Sequence, residues 1–469
     1  MLLAMLAALA IVAQDQVALR AGPASSAPQQ AVLWQGDALE VRGEKLEYLQ
    51  VYDHRRERAG YVQASQVRVM SLEPADAPEL LAIVRFLRDA PGAETLGIAY
   101  VAAYLKAAPA KDITAEPFAA LGAMADRLAV RASSRSGNTN GARLAAQLEI
   151  AQSYGVTFEM PERDGRVQLC YGGDAYSRVL TLRATAEQRA AAVLGLTRVE
   201  CLSPTLSPRD VNAWYRASAE LLEGLDVAGL PALTASRIHV RRASVWSAIA
   251  FAEAREGRSG QQAGEHALTQ LADVVEAALG EDDRAAYTEA AVRVGASRWA
   301  SGLGAAPAGS PRIATQPGEP GQTCVLLLDK AHDEKRPLFK RCTYGIVWTA
   351  SASSNKAGTA LALAVQPLAA WREVWIFRKD DKGAWSVRAL PPAVGDPDVG
   401  YAEFAGWVPD KPQMLVAREA RVGGKWRKSF EVVSLNSLAV LHHSSDPEYL
   451  AAFRRWQSPA WKELTLSLR

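Results

Sequence analysis

Residues 404–440, FAGWVPDKPQMLVAREARVGGKWRKSFEVVSLNSLAV, decide the fold of the C-terminal third of the chain. They belong to the second of two segments with related strand patterns, which recur at a spacing of about 55 residues. The corresponding patterns are 344–348 and 401–407, 360–366 and 414–420, 371–379 and 426–434, and 385–390 and 438–443. Each segment contains four short β patterns in succession, so the sequence predicts two four-stranded antiparallel meanders.

The 404–440 segment is similar to one blade of a TolB-like β-propeller. Two blades cannot close a propeller, which needs at least four. We therefore expect residues 322–469 to form an antiparallel β domain built as a sandwich of two meanders, with an open sheet or half of an oligomeric assembly as alternatives. Eight of the twelve tryptophans lie in this domain, which favours sheet core and cross-strand packing over a carbohydrate platform. The tail, residues 448–461, is predicted to be a short helix followed by an edge segment.

The N-terminal part of the chain, residues 16–70, contains short alternating segments separated by turns. Five short strands in a segment of this length can close only as a small barrel. The ordered series of turns resembles the bacterial SH3-like domain, through LRAGP at residues 19–23, the Gly36-Asp37 turn, and Gly60-Tyr61-Val62. We assign this small SH3-like β-barrel to residues 15–71.

The resemblance implies binding of a peptide or of cell-wall glycopeptide, or contacts beside another domain. The candidate ligand-contacting aromatic residues are Trp34, Tyr48, Tyr52 and Tyr61, for which a place in the barrel core is the alternative. Tyr48 and Tyr61 stand where tryptophan is common in such domains. The charged turn DHRRER, residues 53–58, is interpreted as a distal loop.

Between these two domains, from residue 72 to residue 303, the chain turns helical and alanine-rich. Apolar residues within 78–90 recur at spacings of three and four, as on one face of a helix. A succession of such helices with short connections predicts an all-α bundle or solenoid without a fixed repeat period. Residues 304–321, rich in glycine and proline, are predicted to be a linker. The whole chain is therefore expected to be a multidomain α+β protein.

The N-terminus begins with an uninterrupted apolar run, LLAMLAALAIVA, at residues 2–13. This run is shorter than the roughly 20 residues of a membrane-spanning helix, and it fits the core of a secretory signal peptide. We interpret residues 1–14 as a signal peptide, although a Lys or Arg before the apolar core is missing; a buried N-terminal helix is the alternative. The mature chain is then expected to be periplasmic or otherwise exported, with no integral membrane segment.

The four cysteines, Cys170, Cys201, Cys324 and Cys342, permit three pairings. Residues 174–182 and 186–200 are predicted to form an antiparallel helical hairpin with a capping box at residues 185–188, which brings Cys170 near Cys201. Two strands around a polar turn place Cys324 opposite Cys342. We therefore predict the disulfides Cys170–Cys201 and Cys324–Cys342, which are typical of an oxidising compartment.

The residues needed for common enzymatic chemistries do not form recognisable motifs. The chain contains no G-x-S-x-G, Walker loop, dinucleotide-binding fingerprint or H-E-x-x-H sequence, and two disulfides would remove all four thiols from nucleophilic catalysis. Among only six histidines, His442 and His443 occupy adjacent strand positions, whose side chains point to opposite faces and cannot easily bind one metal ion. We predict no catalytic residue, no metal site and no cofactor.

Two charged groups in the helical region are candidates for other sites. Four carboxylates flank the irregular stretch 154–173 and could, if paired, support glycoside cleavage, although charged loop residues are normally solvated. They are Glu149, Glu159, Glu162 and Asp174. The arginines 237, 241 and 242, beside Trp246, are interpreted as a solvated helix face over a packed tryptophan, in preference to a site for an anionic polymer.

The net charge and composition of the chain limit the classes of partner that it can bind. The 53 Lys and Arg residues against 51 Asp and Glu leave a net charge of +2, which excludes binding to nucleic acid or to a membrane surface through bulk electrostatics. The sequence favours an exported envelope binding or scaffold protein, not an enzyme, whose SH3-like domain contacts a protein or a peptidoglycan peptide. The alternatives are an envelope glycan-acting enzyme with a carboxylate site in the helical domain, and a structural partner of an outer-membrane or secretion assembly.

Overall fold

The computed structural model describes residues 8–133, 141–163, 166–301, 310–395 and 397–462, and it shows the expected mixture of helices and antiparallel sheets. The chain divides into two compact units, Met1–Pro208 (unit 1) and Arg209–Arg469 (unit 2). The prediction of one helical domain over residues 72–303 is wrong, because the earlier helices pack in unit 1 and the later ones in unit 2. Helical periodicity reports an apolar face, but it does not report which sheet or helix covers that face.

Unit 1 begins with one seven-stranded antiparallel sheet. Its strands are β1 (Ala8–Val12), β2 (Val17–Arg20), β3 (Gln29–Leu33), β4 (Ala38–Lys45), β5 (Tyr48–Asp53), β6 (Arg58–Gln63) and β7 (Val67–Met70). The order across the sheet is β3-β2-β6-β5-β4-β1-β7, so that β3 and β7 are edge strands. The predicted closed barrel of five strands is therefore wrong: the sheet is open, and the N-terminal apolar run supplies one of its additional strands.

Strand β1 lies inside this sheet, between β4 and β7. Ala10 and Val12 belong to the core of the sheet, Ile11 belongs to the core formed by the helices, and all three are fully buried. Because both faces of β1 are covered, its sequence is apolar without interruption, which is also the pattern of a signal-peptide core. The interpretation of residues 1–14 as a removable signal peptide is thus contradicted for residues 8–12, which form part of the folded sheet.

Six helices follow the sheet in the described part of unit 1, with two short β ribbons among them. The helices are α1 (Ala77–Arg88), α2 (Glu94–Ala107), α3 (Glu116–Ser133), α4 (Gly141–Ser153), α5 (Asp174–Thr181) and α6 (Ala186–Leu196). The ribbons pair β8 (Phe158–Glu159) with β11 (Cys170–Tyr171), and β9 (Glu162–Arg163) with β10 (Arg166–Val167). The predicted hairpin is confirmed as α5 and α6, together with the Thr185–Gln188 capping box. The disulfide Cys170–Cys201, which joins β11 to a 3-10 turn after α6, is confirmed as well.

Unit 2 combines six helices with eleven strands among its described residues, and four of the helices precede the strands. These four are α7 (Pro208–Glu223), α8 (Ala232–Arg255), α9 (Gln261–Ala272) and α10 (Glu281–Ser297). A three-stranded sheet follows, formed by β12 (Arg312–Pro317), β13 (Thr323–Leu328) and β14 (Phe339–Thr343). Cys324 and Cys342 face each other on β13 and β14 and form the second predicted disulfide. The predicted linker 304–321 is wrong for residues 312–317, because these pair with β13 as an edge strand, a position that tolerates proline.

The two predicted meanders are confirmed. The first contains β15 (Ile346–Ser354), β16 (Ala360–Leu368), β17 (Trp371–Lys379) and β18 (Trp385–Leu390). The second contains β19 (Val399–Val408), β20 (Gln413–Val422), β21 (Lys425–Ser434) and β22 (Val440–Ser444). A parallel pairing of β17 with β19 joins them into one eight-stranded sheet, and this pairing spans only Trp371–Arg372 and Gly400–Tyr401.

The inner faces of the two meanders share one core, to which Ala362 and Ile376 contribute from the first meander and Met414 and Val433 from the second. The arrangement is sandwich-like, as predicted, although the halves are continuous through β17 and β19. The three-stranded sheet packs on the outer face of the first meander. The outer face of the second is covered by α10, α11 (Ala451–Trp456) and α12 (Pro459–Trp461). The tail is therefore two short helices, and the predicted edge segment is wrong within the described residues.

Within the described parts of the chain, no helix is both long and apolar enough to span a lipid bilayer. The longest of the described helices, α8 (Ala232–Arg255), carries four arginine residues along its length. The buried apolar side chains form the cores of the sheets and the contacts between helices inside each of the two units.

Candidate functional site

The tyrosines predicted from the sequence lie mostly on one face of the N-terminal sheet. Along β5 the side chains alternate, so that Leu49 and Val51 are buried in the sheet core while Tyr48 and Tyr52 lie on the outer face. Tyr61 on β6 is opposite Gln50 in the strand register and therefore shares that outer face. We call Tyr48, Gln50, Tyr52 and Tyr61 the tyrosine face. All three tyrosine rings are half-buried, which leaves part of each ring open to a ligand.

Trp34, the fourth predicted residue, does not lie on the tyrosine face. It occupies the turn between β3 and β4, where its backbone N–H donates a 2.9 Å hydrogen bond to Asp37 Oδ2. The side chain of Trp34 is half-buried. The structure thus brings together three of the four aromatic residues and separates the fourth, because the turn directs the chain away from the outer surface of β5 and β6.

Polar neighbours hold the ring of Tyr52 from both sides. The guanidinium carbon of Arg42 lies 4.1 Å from the ring centroid, and the ring of His54 meets it edge-on at 4.9 Å. Glu40 accepts hydrogen bonds from Arg42 at 3.2 and 3.3 Å, and its Oε2 lies 2.6 Å from His54 Nε2. The hydrogen bond from Arg42, followed by that from His54, holds the pKa of the Glu40 carboxyl below its usual range. These exposed pairs add little to stability, but they orient an aromatic ring before any ligand arrives.

The charged turn 53–58 is attached to the rest of unit 1, which corrects its interpretation as a distal loop. The buried carboxylate of Asp37 forms ion pairs with Arg55 at 2.8 Å and with Arg56 at 3.0 Å, and Asp53 pairs with Arg56 at 2.6 Å. Arg55 also reaches Glu149 on α4 at 3.3 Å. The turn therefore connects the sheet to the helices through the ion pairs of its charged side chains.

Two of the four carboxylates considered for glycoside cleavage have structural partners. Glu149 pairs with Arg55, as described above, and Asp174 accepts a 3.2 Å hydrogen bond from the Thr157 hydroxyl. The other two, Glu159 and Glu162, lie on the two β ribbons. A more strongly perturbed carboxyl is Asp126, whose pKa is raised by burial despite its ion pair with Arg198 at 2.7 Å. Its Oδ2 accepts a 2.8 Å hydrogen bond from Tyr176, so this carboxylate is committed to packing α3 against α5.

Other charged candidates also have structural roles. Arg242 is buried, which corrects the interpretation as a solvated face for this one arginine of the group: its Nη2 donates to the carbonyl oxygens of Leu222 at 2.7 Å and Leu225 at 2.9 Å, at the end of α7. Arg237 is exposed, as expected, and pairs with Asp283 at 2.7 Å. His442 and His443 are opposite Val432 and Glu431 on β21, at adjacent positions that face opposite ways. No cluster of three or more His, Cys, Asp or Glu side chains suited to a metal ion occurs among the residues that the structure describes.

Unit 2 contains a buried polar centre that the sequence did not reveal. Glu403 Oε1 accepts hydrogen bonds from Arg298 Nε at 2.5 Å and from Arg372, and Glu403 Oε2 accepts one from Trp461 Nε1 at 2.8 Å. Arg372 is fully buried, and its Nη1 also donates to the Gly295 carbonyl at 2.7 Å. Burial lowers the pKa of Arg372 to about 10, so the side chain stays protonated at neutral pH. The strand WREVWIFRK also carries Glu373, Arg378 and Lys379, so its sequence did not single out Arg372.

A second buried carboxyl lies beside this centre. Glu419 on β20 accepts a 2.9 Å hydrogen bond from the hydroxyl of Tyr401 on β19. Burial raises the pKa of Glu419 to about 7; Lys428 opposes this effect and the charge of Glu403 adds to it. The carboxyl therefore changes protonation near neutral pH while it remains inside the fold.

A small pocket, with about 20 Å³ of room for a water-sized group, lies where β17 and β19 diverge beyond their short pairing. Arg298, Arg372 and Glu403 supply its charged wall. No protein-family model, no curated protein and no solved structure matches this chain. Among the described residues, the tyrosine face on unit 1 is the surface whose geometry supports binding of a ligand, whereas the pocket in unit 2 has room for little more than one water molecule.

Proposed function

We propose that this chain is an exported binding or scaffold protein of a bacterial cell envelope, and that its N-terminal sheet contacts a peptide, such as the stem peptide of peptidoglycan, through the tyrosine face. The observation that carries the proposal is the alignment of three half-buried tyrosine rings on the outer face of β5 and β6. The two disulfides support export, since such bonds persist mainly in oxidising compartments.

Tyrosine suits the recognition of a peptide because its ring offers apolar contact area at a low cost in conformational entropy, and its hydroxyl forms hydrogen bonds. On the tyrosine face, Gln50 adds an amide beside the rings, and Arg42 adds a charge over Tyr52. A peptide could lie across the two strands with its apolar side chains on the rings and its polar groups bonded to these neighbours. The pre-oriented ring of Tyr52 reduces the entropy lost on binding.

The attachment of the sheet to the helices supports the same role. The Tyr154 hydroxyl donates to the Gly36 carbonyl, and the Thr95 hydroxyl donates to the Gln35 carbonyl, both at 2.8 Å. Arg143 of α4 pairs with Asp15 at 2.7 Å. These bonds fix the turn side of the sheet on the helices and leave the outer face of β5 and β6 as a rigid contact surface. A rigid scaffold that presents a binding face is the expected design of a scaffold protein.

The test is co-sedimentation of the full-length chain with purified peptidoglycan sacculi. A variant with Tyr48→Ala, Tyr52→Ala and Tyr61→Ala should lose retention by about tenfold or more, because the loss of several aromatic contacts removes most of the binding energy of a small site. The matched control is Tyr449→Ala, which removes a tyrosine that is 81% exposed in unit 2 and should leave retention unchanged. Glycan strands stripped of their stem peptides should retain neither protein.

A second variant separates binding from folding. The triple Tyr→Phe variant keeps the rings at the three positions and should retain most of the binding, which excludes general unfolding as the cause of the loss in the alanine variant. Retention of the triple alanine variant equal to that of the unchanged chain would overturn the proposal. Because we propose a binding protein and not an enzyme, sacculi incubated with the protein should release no soluble muropeptides; release of such fragments would favour a glycan-acting enzyme.

A further inference from the structure

Basic side chains lie on both sides of the tyrosine face. In the strand register, Lys45 of β4 is directly opposite Tyr48. On the other side, Arg20 of β2 is directly opposite Tyr61. Directly opposed residues of an antiparallel pair point to the same face of the sheet, with their Cβ atoms about 5 Å apart. The three rings therefore have a lysine on one side and an arginine on the other.

These two charges have no acidic partner in the fold. Neither Arg20 nor Lys45 forms an ion pair with any residue that the structure describes. Arg20 donates one hydrogen bond, from Nη1 to the Ala27 carbonyl at 2.9 Å, and this bond orients the guanidinium while further N–H donors remain on it. The side chain of Lys45 is exposed. Both groups can therefore bind a ligand without first breaking an ion pair.

Glu40 is the carboxylate beside the rings, and its charge is already neutralised. It lies opposite Tyr52 and shares the outer face with that ring. Arg42 donates two hydrogen bonds to it, at 3.2 and 3.3 Å, and His54 Nε2 lies 2.6 Å from it. Glu40 and Arg42 thus form a neutral pair that orients Tyr52, and this pair leaves the charges of Arg20 and Lys45 unopposed.

Two more carboxylates occur at the end of the hairpin formed by β4 and β5. Glu44 is opposite Leu49 in the register, so it points to the inner side of the sheet together with that core residue. Glu47 lies in the exposed turn that follows Lys45. Even with Glu47 included, the basic residues around the rings outnumber the acidic ones: Arg20, Arg42 and Lys45 against Glu40 and Glu47. The tyrosine face therefore carries a net positive charge.

The distance between Lys45 and Arg20 sets the length of a ligand that reaches both. Their strands, β4 and β2, are separated by β5 and β6, and Arg20 is aligned with Gln50, two positions beyond the partner of Lys45 on β5. At about 4.8 Å per strand and 3.3 Å per residue, the two Cα atoms are roughly 16 Å apart. An extended peptide of about five residues covers this distance.

We infer that the tyrosine face selects an acidic peptide, whose apolar side chains lie on the three rings and whose carboxylates are bound by Arg20 and Lys45. This inference rests on the proposed function, since it names the class of peptide that the same face binds. Guanidinium and ammonium groups form charge-assisted hydrogen bonds with carboxylates. Charges at the rim of a contact surface contribute to the choice of partner more than to affinity, so the aromatic contacts supply most of the binding energy.

The test is a calorimetric titration of the full-length chain with the peptide acetyl-Glu-Leu-Ala-Leu-Glu-amide at low ionic strength. Saturable binding is expected, and an uncharged analogue with glutamine in place of both glutamates should bind about fivefold to tenfold more weakly, because each exposed ion pair contributes modestly. Arg20→Gln combined with Lys45→Gln should remove this difference between the two peptides. The preference of the unchanged chain should also decrease as the salt concentration rises.

The matched control is Arg178→Gln combined with Lys111→Gln. It removes the same two charges from exposed positions elsewhere in unit 1, so it should leave the affinity for both peptides unchanged. Equal affinity of the unchanged chain for the two peptides, or binding of neither, would overturn the inference. An unchanged preference in the variant that lacks Arg20 and Lys45 would place the carboxylates elsewhere and would overturn it as well.

Retention on peptidoglycan sacculi distinguishes a failure of this inference from a failure of the proposed function. If the triple tyrosine-to-alanine variant loses retention while the variant that lacks Arg20 and Lys45 keeps all of it, the preference for acidic peptides is wrong and the tyrosine face remains the binding surface. If the unchanged chain binds the acidic peptide through its tyrosines but is not retained on sacculi, peptidoglycan is the wrong ligand and the acidic class is supported.

Discussion

The hydroxyl of Tyr154 donates a 2.8 Å hydrogen bond to the carbonyl oxygen of Gly36, across 118 positions of sequence. Tyr154 directly follows helix α4, and Gly36 lies in the turn between β3 and β4 of the sheet. Burial raises the pKa of the Tyr154 phenol above its ordinary value, so it remains a hydrogen-bond donor at all physiological pH values. This bond fixes one turn of the sheet to the helices.

Replacing Tyr154 with Phe should destabilise unit 1 by about 1 kcal/mol, because the hydrogen bond is lost while the ring is kept. Chemical denaturation measures the change, and hydrogen exchange of β3 and β4 locates it in unit 1. Tyr449→Phe, at a side chain that is 81% exposed, is the control and should have no measurable effect. Equal protection of β3 and β4 in the Tyr154→Phe variant and the unchanged chain would contradict the role of this bond.

Gly36→Ala should destabilise unit 1 more than Tyr154→Phe. The backbone of Gly36 has φ of +96°, and an added Cβ would lie 2.8 Å from the Thr95 carbonyl oxygen, so the substitution combines strain with a steric clash. Gly229→Ala is the matched control, since Gly229 has φ of +80° with no atom within 4 Å of the added Cβ. Differential scanning calorimetry should show that Gly229→Ala lowers the free energy of unfolding by about 1–3 kcal/mol, because a non-glycine residue is strained there. Gly36→Ala should lower it by more, because the steric clash adds to the strain.

A chain that begins at Gln14 should fail to fold unit 1. Its sheet would lack β1, which pairs with both β4 and β7 and places Ile11 in the core of the helices. A chain that begins at Ala8 keeps β1 and should retain cooperative unfolding of this unit. Circular dichroism and limited proteolysis distinguish the two chains. A natively isolated protein whose mass corresponds to a start at residue 14, and which is folded, would restore the signal-peptide interpretation.

Reduction of the disulfides should destabilise each unit separately. Cys170 and Cys201 are 31 positions apart and Cys324 and Cys342 are 18 apart, so loop closure contributes about 3–4 kcal/mol for each. Cys170→Ser with Cys201→Ser should lower the stability of unit 1 and leave hydrogen exchange in β19–β21 unchanged; the other double variant should act on unit 2 alone. Thiol titration of the native protein supplies the direct check, and four free thiols would refute both bonds.

The buried carboxyl of Glu419 should make the stability of unit 2 depend on pH. Its carboxyl has an ordinary pKa of 4.5 and a folded pKa of about 7. Below pH 4.5 both states hold the proton; between pH 4.5 and 7 the unfolded chain loses it while the folded chain keeps it, so stability falls as pH rises through this window. The full cost, reached above pH 7, is on the order of 3 kcal/mol.

Glu419→Gln removes that titration and keeps an acceptor for the Tyr401 hydroxyl. The variant should therefore be more stable than the unchanged chain above pH 7, and its advantage should shrink towards pH 4.5. Denaturation curves at several pH values measure the difference, with Glu220→Gln at an exposed position as the control. A pH profile of the Glu419→Gln variant parallel to that of the unchanged chain would show that this carboxyl does not titrate in the window.

Local features of the fold were predictable from the sequence. The helices and strands that bury a given apolar face, which are distant in the sequence, were not. The capping box at Thr185 and Gln188 fixed a helix start, and the hairpin geometry then identified the partner of Cys170. The alternation of residues 48–52 predicted the strand β5. Strand β1 was misinterpreted because burial on both faces gives the same apolar run as a signal peptide. These successes and the failure follow from one rule: a sequence pattern records burial but not the identity of the covering group.

The buried polar centre shows the same limit for a site. Glu403 is the one charged residue of strand β19, and the charged neighbours of Arg372 on β17, such as Glu373, do not indicate the partner that it has in the fold. Arg298 follows α10, more than a hundred positions before Glu403. Only the divergence of β17 from β19 opens the space in which the three side chains meet. A site assembled across such distances requires the tertiary structure.

The parallel pairing that joins the two meanders covers Trp371–Arg372 and Gly400–Tyr401 and nothing more. Almost all hydrogen bonds between strands are formed within one meander or the other, and the two meanders are held together by packed side chains. The register of each meander is therefore set by its own ladder, and a disturbance of the short seam leaves the ladders on both sides intact. The C-terminal domain is in this sense divided in its hydrogen bonds and undivided in its core.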